Sequence, residues 1–202
     1  MFGSRGRQER SNRDSDVEIY RSAAQGSGEA MALLYQRYGA LIYRFSLRLS
    51  RDESIAEEVT QDVFVALLKQ GDRFDPQRSA LPTWMCAIAR RLVWRHLERR
   101  ERHAPIEHSQ EQTLSSPDDE PDVAMGRSQA VAAVQRGINA LPPEFREVVI
   151  LCEFEEMKYE DVALVLGVPV GTVRSRLHRA KARLALLLRG MDTRESKESA
   201  SC

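Results

Sequence analysis

The sequence predicts an all-α protein made of two small helical domains joined by a flexible acidic linker. Apolar residues recur at three- and four-residue steps through most of the 202 residues, and no segment shows the strict alternation of a β-strand. Prolines and acidic residues without apolar periodicity interrupt this pattern at residues 104–125. Each of the two flanking helical stretches is long enough to bury a modest core.

The predicted organisation starts with a disordered basic tail at residues 1–13, followed by a first domain at residues 14–103. The acidic linker at residues 104–125 leads to a second domain at residues 126–190 and a C-terminal tail at residues 191–202. The formal net charge is +0, but it averages over strongly charged segments. Two basic blocks separated by an acidic one indicate two modules that face nucleic acid.

The helices of the first domain are predicted from caps and apolar spacing. Ser27 is predicted to cap the second helix, and either Asp52 or Ser54 the third. Pro82 opens the fourth helix, which continues to about His103. The apolar side of the second helix is predicted to point inward through Met31, Leu34, Tyr35, Tyr38, Leu41, Ile42, Phe45 and Leu49.

The second domain begins with a helix predicted at about residues 123–139. The segment Leu141-Pro142-Pro143 ends it, and a further helix is predicted at residues 144–154. Residues 159–181 then form two short helices joined at Gly167, which accepts a positive φ.

The last of these helices is amphipathic in a particular way. Its apolar side holds Val170, Val173, Leu177, Ala180 and Leu184. The opposite side carries polar and basic residues, namely Gly171, Thr172, Arg174, Ser175, His178, Arg179 and Arg183. This pattern is typical of the helix that a helix-turn-helix places in the major groove of DNA.

The fourth predicted helix is a second candidate site. A helical wheel places Arg90, Arg91 and Trp94 away from its apolar side, and Arg95 extends the basic strip. An exposed indole between guanidinium groups suits stacking on an unpaired base while the arginines hold phosphates. The alternative is that Trp94 packs against the second helix or the adjoining loop.

The third predicted helix is acidic, with Glu57, Glu58 and Asp62 beside Gln61. Clustered carboxylates can bind a metal or act as acid and base, but no histidine or cysteine completes a ligand set here. Two interpretations of this helix remain: a solvated acidic face and an acidic docking surface for a basic partner. The sequence therefore predicts no catalytic residue, no metal site and no cofactor.

Cysteine content and hydropathy constrain the cellular compartment. Cys86 and Cys152 lie in apolar helical patterns, which predicts reduced, buried thiols, whereas Cys202 ends a polar tail. No apolar run reaches the roughly 18 residues that a membrane helix needs. The charged N-terminus is unlike a signal peptide. We therefore expect a cytoplasmic protein.

Together these segments resemble the extracytoplasmic-function (ECF) sigma factors, a group within the sigma-70 family of bacterial RNA polymerase. The resemblance covers about residues 14–188. The segments that carry it are AEEVTQDVFVALLK (56–69), RFDPQRSALPTWMCAIARRLVWRHLERR (73–100) and LPPEFREVVILCEFEEMKYEDVALVLGVPVGTVRSRLHRAKARL (141–184). It implies that the first domain is sigma region 2, which docks on core RNA polymerase and melts the −10 element. The second domain would be sigma region 4, which reads the −35 element. The resemblance also implies that the chain is not an enzyme, because the polymerase does the chemistry.

The resemblance also implies roles for individual residues. Contacts to the −35 element fall on Thr172, Arg174, Ser175, His178 and Arg179. Contacts to the −10 element fall on Phe74, Arg90, Arg91, Trp94 and Arg95. The residues implied to dock on the clamp helices of the β′ subunit are Glu57, Glu58, Gln61 and Asp62. Further implied partners are the β flap, promoter DNA and an anti-sigma factor, with a stress or envelope signal as the trigger.

One residue departs from the family pattern. Many members have asparagine where this chain has Arg91, and arginine has a different reach and no acceptor. The −10 preference is therefore open, whereas phosphate contact is favoured. Two other classes of function stay as alternatives: a stand-alone helix-turn-helix regulator and a nuclease that uses the acidic cluster of the third helix.

Overall fold

A computed structural model describes residues 15–69, 73–103 and 123–198, with side chains at 15–69, 73–102 and 131–188. The predicted N-terminal tail, most of the acidic linker and Cys202 lie outside the described residues. Every regular element in the described ranges is helical, which confirms the predicted all-α class.

The helices are numbered in chain order. Those of the first half are α1 (15–24), α2 (Gly28–Ser50), α3 (Glu53–Lys69) and α4 (Leu81–His103). Those of the second half are α5 (Val123–Asn139), α6 (Pro143–Val149), a π-helical turn (Ile150–Phe154), α7 (Tyr159–Leu166) and α8 (Val170–Glu198).

The chain divides into two compact units. The first comprises Met1–Gln112 together with Glu160–Gly167, and the second comprises Thr113–Tyr159 together with Val168–Cys202. The division into two agrees with the sequence, while the domain boundaries given above stay a prediction.

In the first unit, α2, α3 and α4 pack against one another in all three pairs. Beside Tyr20 of α1, most of the large core side chains of this unit come from these helices, including Leu34, Ile42, Phe45, Leu67 and Met85. Burying one such side chain stabilises the fold by roughly 1.5–3 kcal/mol. This packing fixes α3 and α4, which carry two of the three predicted sites.

The side chain of Tyr35 does not point into this core, contrary to the prediction from apolar spacing. It is 55% exposed, and its ring lies against Phe64 with centroids 4.9 Å apart. A tyrosine at the edge of an apolar stripe can cover a neighbour with its ring while its hydroxyl stays in water.

Two predicted caps are confirmed. The Oγ atom of Ser27 accepts a hydrogen bond from the amide of Ala30 at 3.2 Å. At the start of α3, Oδ1 of Asp52 accepts from the amide of Ile55 at 3.0 Å, which selects Asp52 over Ser54. Each cap satisfies a backbone donor that the helix leaves unpaired.

A buried carboxylate joins α1 to α2. Asp16 is 5% exposed, and both the Arg37 guanidinium and the Tyr38 hydroxyl donate to it. Burial raises the pKa of Tyr38 above its usual value, and the hydrogen bond to Asp16 raises it further. Because both donors pair with it, the buried carboxylate of Asp16 is tolerated in the core.

In the second unit, α8 packs against both α5 and α6. Helix α5 approaches α8 closely at Gly137. A Cβ added at Gly137 would lie 3.1 Å from Cδ2 of Leu184. The corner between α5 and α6 is tied by Arg146, whose Nη2 donates to the carbonyl oxygens of Asn139 at 2.7 Å and Leu141 at 3.0 Å.

The helix predicted at residues 144–154 is present but changes period. The regular α6 ends at Val149, and Ile150–Phe154 forms a π-helical turn. The amide of Glu155 donates to the carbonyl of Ile150 at 3.0 Å, and Glu156 then takes a positive φ of 49°. Residues 155–158 then connect this turn to α7.

Candidate nucleic-acid interface

The turn between α7 and α8 forms as the sequence predicts. Gly167 adopts φ +68°, which glycine accepts without the clash of a Cβ. The carbonyl of Pro169 then accepts from the amides of Thr172 at 2.9 Å and Val173 at 3.2 Å, opening α8. The buried residues of α7 are apolar, namely Val162, Ala163, Val165 and Leu166.

The two sides of α8 differ as the helical wheel predicts. Val173, Leu177 and Ala180 are buried. Four of the predicted −35 residues are exposed, namely Arg174, Ser175, His178 and Arg179, while Thr172 is half-buried. The hydroxyl of Ser175 donates to the carbonyl of Thr172 at 3.0 Å. The structure therefore brings these residues together on one accessible face of a helix.

Two cations at the edge of this face have partners that sequence reasoning missed. The Arg174 guanidinium carbon lies 5.9 Å from the centroid of the Tyr159 ring. Nζ of Lys181 lies 2.9 Å from Oε1 of Glu153, and this hydrogen bond raises the pKa of Lys181. No periodic signal joins Glu153 to Lys181, because they lie in different elements of the second unit.

The predicted −10 residues of α4 are accessible to different degrees. Arg91 and Arg95 are exposed, whereas Arg90 and Trp94 are half-buried. Both Arg90 and Trp94 make contacts within the chain. The indole of Trp94 is therefore neither fully exposed nor a core residue, a position between the two alternatives left open by the sequence.

Phe74 belongs to an aromatic cluster beside α4. Its ring centroid lies 5.3 Å from that of Tyr20 and 5.4 Å from that of Trp84. Tyr20 is 2% exposed and meets Trp84 edge-on at 5.8 Å. Aromatic pairs at such spacings are favourable, so Phe74 anchors the loop before α4 to α1 and α4 while remaining half exposed.

The acidic residues of α3 are accessible and are partly paired with α4. Glu57, Glu58 and Gln61 are exposed and Asp62 is half-buried. Oδ2 of Asp62 lies 3.5 Å from Nη2 of Arg95, and Oε2 of Glu58 lies 3.6 Å from Nδ1 of His96. The predicted docking residues and one predicted −10 residue are thus direct neighbours. The exposed Asp62–Arg95 pair contributes about 0–1 kcal/mol, so both of its side chains stay available to partners.

A groove of about 520 Å³ lies beside these acidic residues, between α2 and α3. Its lining combines polar and aromatic side chains with two small residues, namely Tyr35, Gly39, Ala40, Tyr43, Glu57, Thr60 and Gln61. Two of the four predicted docking residues, Glu57 and Gln61, therefore form one wall of a concave surface.

Within the described ranges, no three His, Cys, Asp or Glu side chains converge as a metal-binding group. Cys152 is half-buried, and burial together with the charge of Glu153 raises the pKa of its thiol to about 11. None of the helices in the same ranges combines the length and apolar character needed to span a membrane.

Comparison with known families accounts for both units. Residues 34–103 match the model of sigma-70 region 2, and residues 132–184 match the model of sigma-70 region 4. The chain belongs to the sigma-70 family, in its ECF group. The ECF sigma factor SigE of Mycolicibacterium smegmatis is 31% identical over 155 residues, which are 75% of this chain and 58% of that protein.

A further relative and a solved structure are similar to most of the chain. The RNA polymerase sigma-H factor of Pseudomonas aeruginosa is 31% identical over 176 residues, covering 83% of this chain and 91% of that one. Among solved structures, CnrH in complex with the cytosolic domain of CnrY aligns with a TM-score of 0.64 and 26% identity, over 87% of this chain and 97% of that one.

Proposed function

We propose that this sigma factor directs core RNA polymerase to promoters with −35 and −10 elements and initiates transcription there. The observation that carries the proposal is the face of α8, where polar and basic residues are exposed above a buried apolar side. The factor acts by binding, and the polymerase performs the chemistry. We place this work in the cytoplasm, where core polymerase and promoter DNA are present.

Recognition of the −35 element is assigned to α8. Arg174 is exposed near the start of the helix, where a recognition helix meets base edges. Arginine pairs bidentately with guanine, and each such pair is worth roughly 1–3 kcal/mol of discrimination. His178 and Arg179 lie one turn further and extend the contact along the groove or to the phosphates.

Recognition and melting of the −10 element are assigned to α4 and the loop before it. Arg91 and Arg95 are exposed and suit phosphate contact, and Arg90 and Trp94 lie beside them, half-buried. Trp94 offers a ring on which an unpaired base can stack. Phe74 supports this surface through its cluster with Tyr20 and Trp84.

Docking on core polymerase is assigned to α3 and the adjoining groove. The exposed carboxylates of Glu57 and Glu58 suit a basic helical partner, in keeping with the β′ clamp helices, and the β flap is the partner proposed for region 4. Because the relative CnrH is held by the cytosolic domain of another protein, we also propose a regulatory anti-sigma partner.

The −35 assignment is tested with Arg174→Ala in holoenzyme assembled from the full chain and core polymerase. We expect weaker promoter binding and reduced discrimination between the preferred −35 sequence and single-base variants of it. Arg176→Ala is the matched control, because it removes the same group two positions further along the helix, on another side. Unchanged discrimination in Arg174→Ala would count against the assigned base contact.

A further inference from the structure

The segment from Glu153 to Tyr159, which ends at the first residue of α7, contacts two cations of the recognition helix. Glu153 contacts Lys181, and Tyr159 contacts Arg174. The Glu153–Lys181 distance is 2.9 Å, and the Tyr159 ring lies 5.9 Å from the Arg174 guanidinium. Both anchoring residues therefore lie in one short segment, and both cations lie on α8.

The backbone of that segment departs from regular helix where it meets α8. Glu153 lies within the π-helical turn, and the amide of Met157 donates to the carbonyl of Leu151 at 3.0 Å. Between these contacts Glu156 has φ +49°, a conformation uncommon for residues other than glycine. Widened turns and such outliers cluster at functional sites, so this segment points to a function beyond packing.

The position of Lys181 places it next to the proposed DNA-binding residues. Lys181 is seven residues after Arg174 and three after His178, so the three share one side of α8. Its side chain is 57% exposed, and that of Glu153 is 44% exposed. The Glu153 carboxylate gives Lys181 the kind of anionic oxygen partner that a DNA phosphate offers.

We propose that Lys181 is a further phosphate contact of α8. In the free chain the Glu153 carboxylate pairs with the Lys181 ammonium group, and a DNA phosphate replaces that carboxylate on binding. This inference rests on the proposed DNA-binding role of α8. Glu153 then lowers the affinity of the free chain for DNA in general. Because phosphate contacts carry no sequence information, Glu153 and Lys181 affect all duplexes alike and leave base discrimination to Arg174.

The test measures binding of the full-length chain to a random-sequence DNA duplex by fluorescence anisotropy over a series of salt concentrations. Glu153→Gln should bind about two- to fivefold more tightly, the range expected from freeing one exposed ion-pair partner. Lys181→Gln should bind more weakly and reduce the slope of log K against log salt by about 0.9, the loss of one phosphate contact.

The double variant and a control separate this mechanism from a general charge effect. In the Lys181→Gln background, Glu153→Gln should change the affinity little, because its effect passes through Lys181. Glu156→Gln removes the same charge from an exposed residue of the same segment and should change the affinity less than Glu153→Gln does.

Three results would overturn the inference: an unchanged salt slope in Lys181→Gln, an equal gain from Glu153→Gln in both backgrounds, or no duplex binding by the wild-type chain. Transcription by core polymerase with the wild-type chain tests the proposed function separately. A chain that supports transcription while failing these binding tests would retain the proposed function and lose this inference.

Discussion

Asp52 stabilises the start of α3 through two separate contacts. Oδ1 accepts from the amide of Ile55 at 3.0 Å, and Oδ2 lies 2.6 Å from Nη1 of Arg100 on α4. The side chain of Asp52 is 20% exposed and that of Arg100 is 67% exposed. The cap is therefore the larger contribution, since solvent screens the ion pair.

The two contributions can be separated by substitution. Asp52→Ala removes both, and we expect it to lower the unfolding free energy by about 1–2 kcal/mol, of which the cap supplies about 1 kcal/mol. Asp52→Asn keeps an oxygen able to cap and loses only the charge pair, so we expect about 0.2–1 kcal/mol. Arg100→Gln should match Asp52→Asn, because it breaks the same pair from the other side.

Tryptophan fluorescence during urea unfolding measures this effect in the first unit alone. The two tryptophans of the chain, Trp84 and Trp94, both lie on α4, which packs against α3. The expected order of unfolding midpoints is wild type, then Asp52→Asn, then Asp52→Ala. The reasoning would be refuted by an Asp52→Asn variant as unstable as Asp52→Ala, or by an Asp52→Ala variant as stable as wild type.

Three further predictions concern single side chains. Trp94→Ala should slow promoter melting, because about 1–3 kcal/mol of stacking energy is lost per stacked base. Binding to the −35 duplex should stay nearly intact in this variant. Equal loss of melting and of −35 binding would contradict a stacking role. Burial and Asp16 raise the pKa of the Tyr38 hydroxyl in the folded chain. As the pH rises, the unfolded chain therefore loses the hydroxyl proton at a lower pH than the folded chain does. The unfolding free energy should then fall above about pH 10. Tyr38→Phe should flatten that fall in alkaline urea titrations, and an unchanged profile would contradict this. With its pKa raised to about 11, Cys152 should react with iodoacetamide at pH 8 more slowly than a free thiol, as peptide mass spectrometry would show.

Much of the fold followed from local sequence signals. Ser27 and Asp52 each place a side-chain oxygen where it can cap the following helix. Gly167 adopts a left-handed conformation without strain because it has no Cβ. The amphipathic character of α8 was predicted because its apolar residues recur with helical period over several turns. These features depend on residues that are near one another in the chain, which is why the sequence alone predicts them.

Features that depend on distant residues were missed or left open. The π-helical turn at Ile150–Phe154 differs from the predicted helix only in its hydrogen-bond spacing, which apolar periodicity does not resolve. The contacts of Glu153 with Lys181 and of Asp62 with Arg95 form between elements, so composition gives no signal for them. A helical wheel placed Trp94 on the outer side of α4, but the half-burial of its indole depends on tertiary packing.

The central claim is tested most directly by transcription in vitro from the promoter upstream of the chain's own operon, with purified core RNA polymerase and with or without the full-length chain. The account predicts a specific transcript that appears only when the chain is present. No transcript, combined with tight binding of the chain to duplex DNA without polymerase, would contradict it and favour a stand-alone helix-turn-helix regulator.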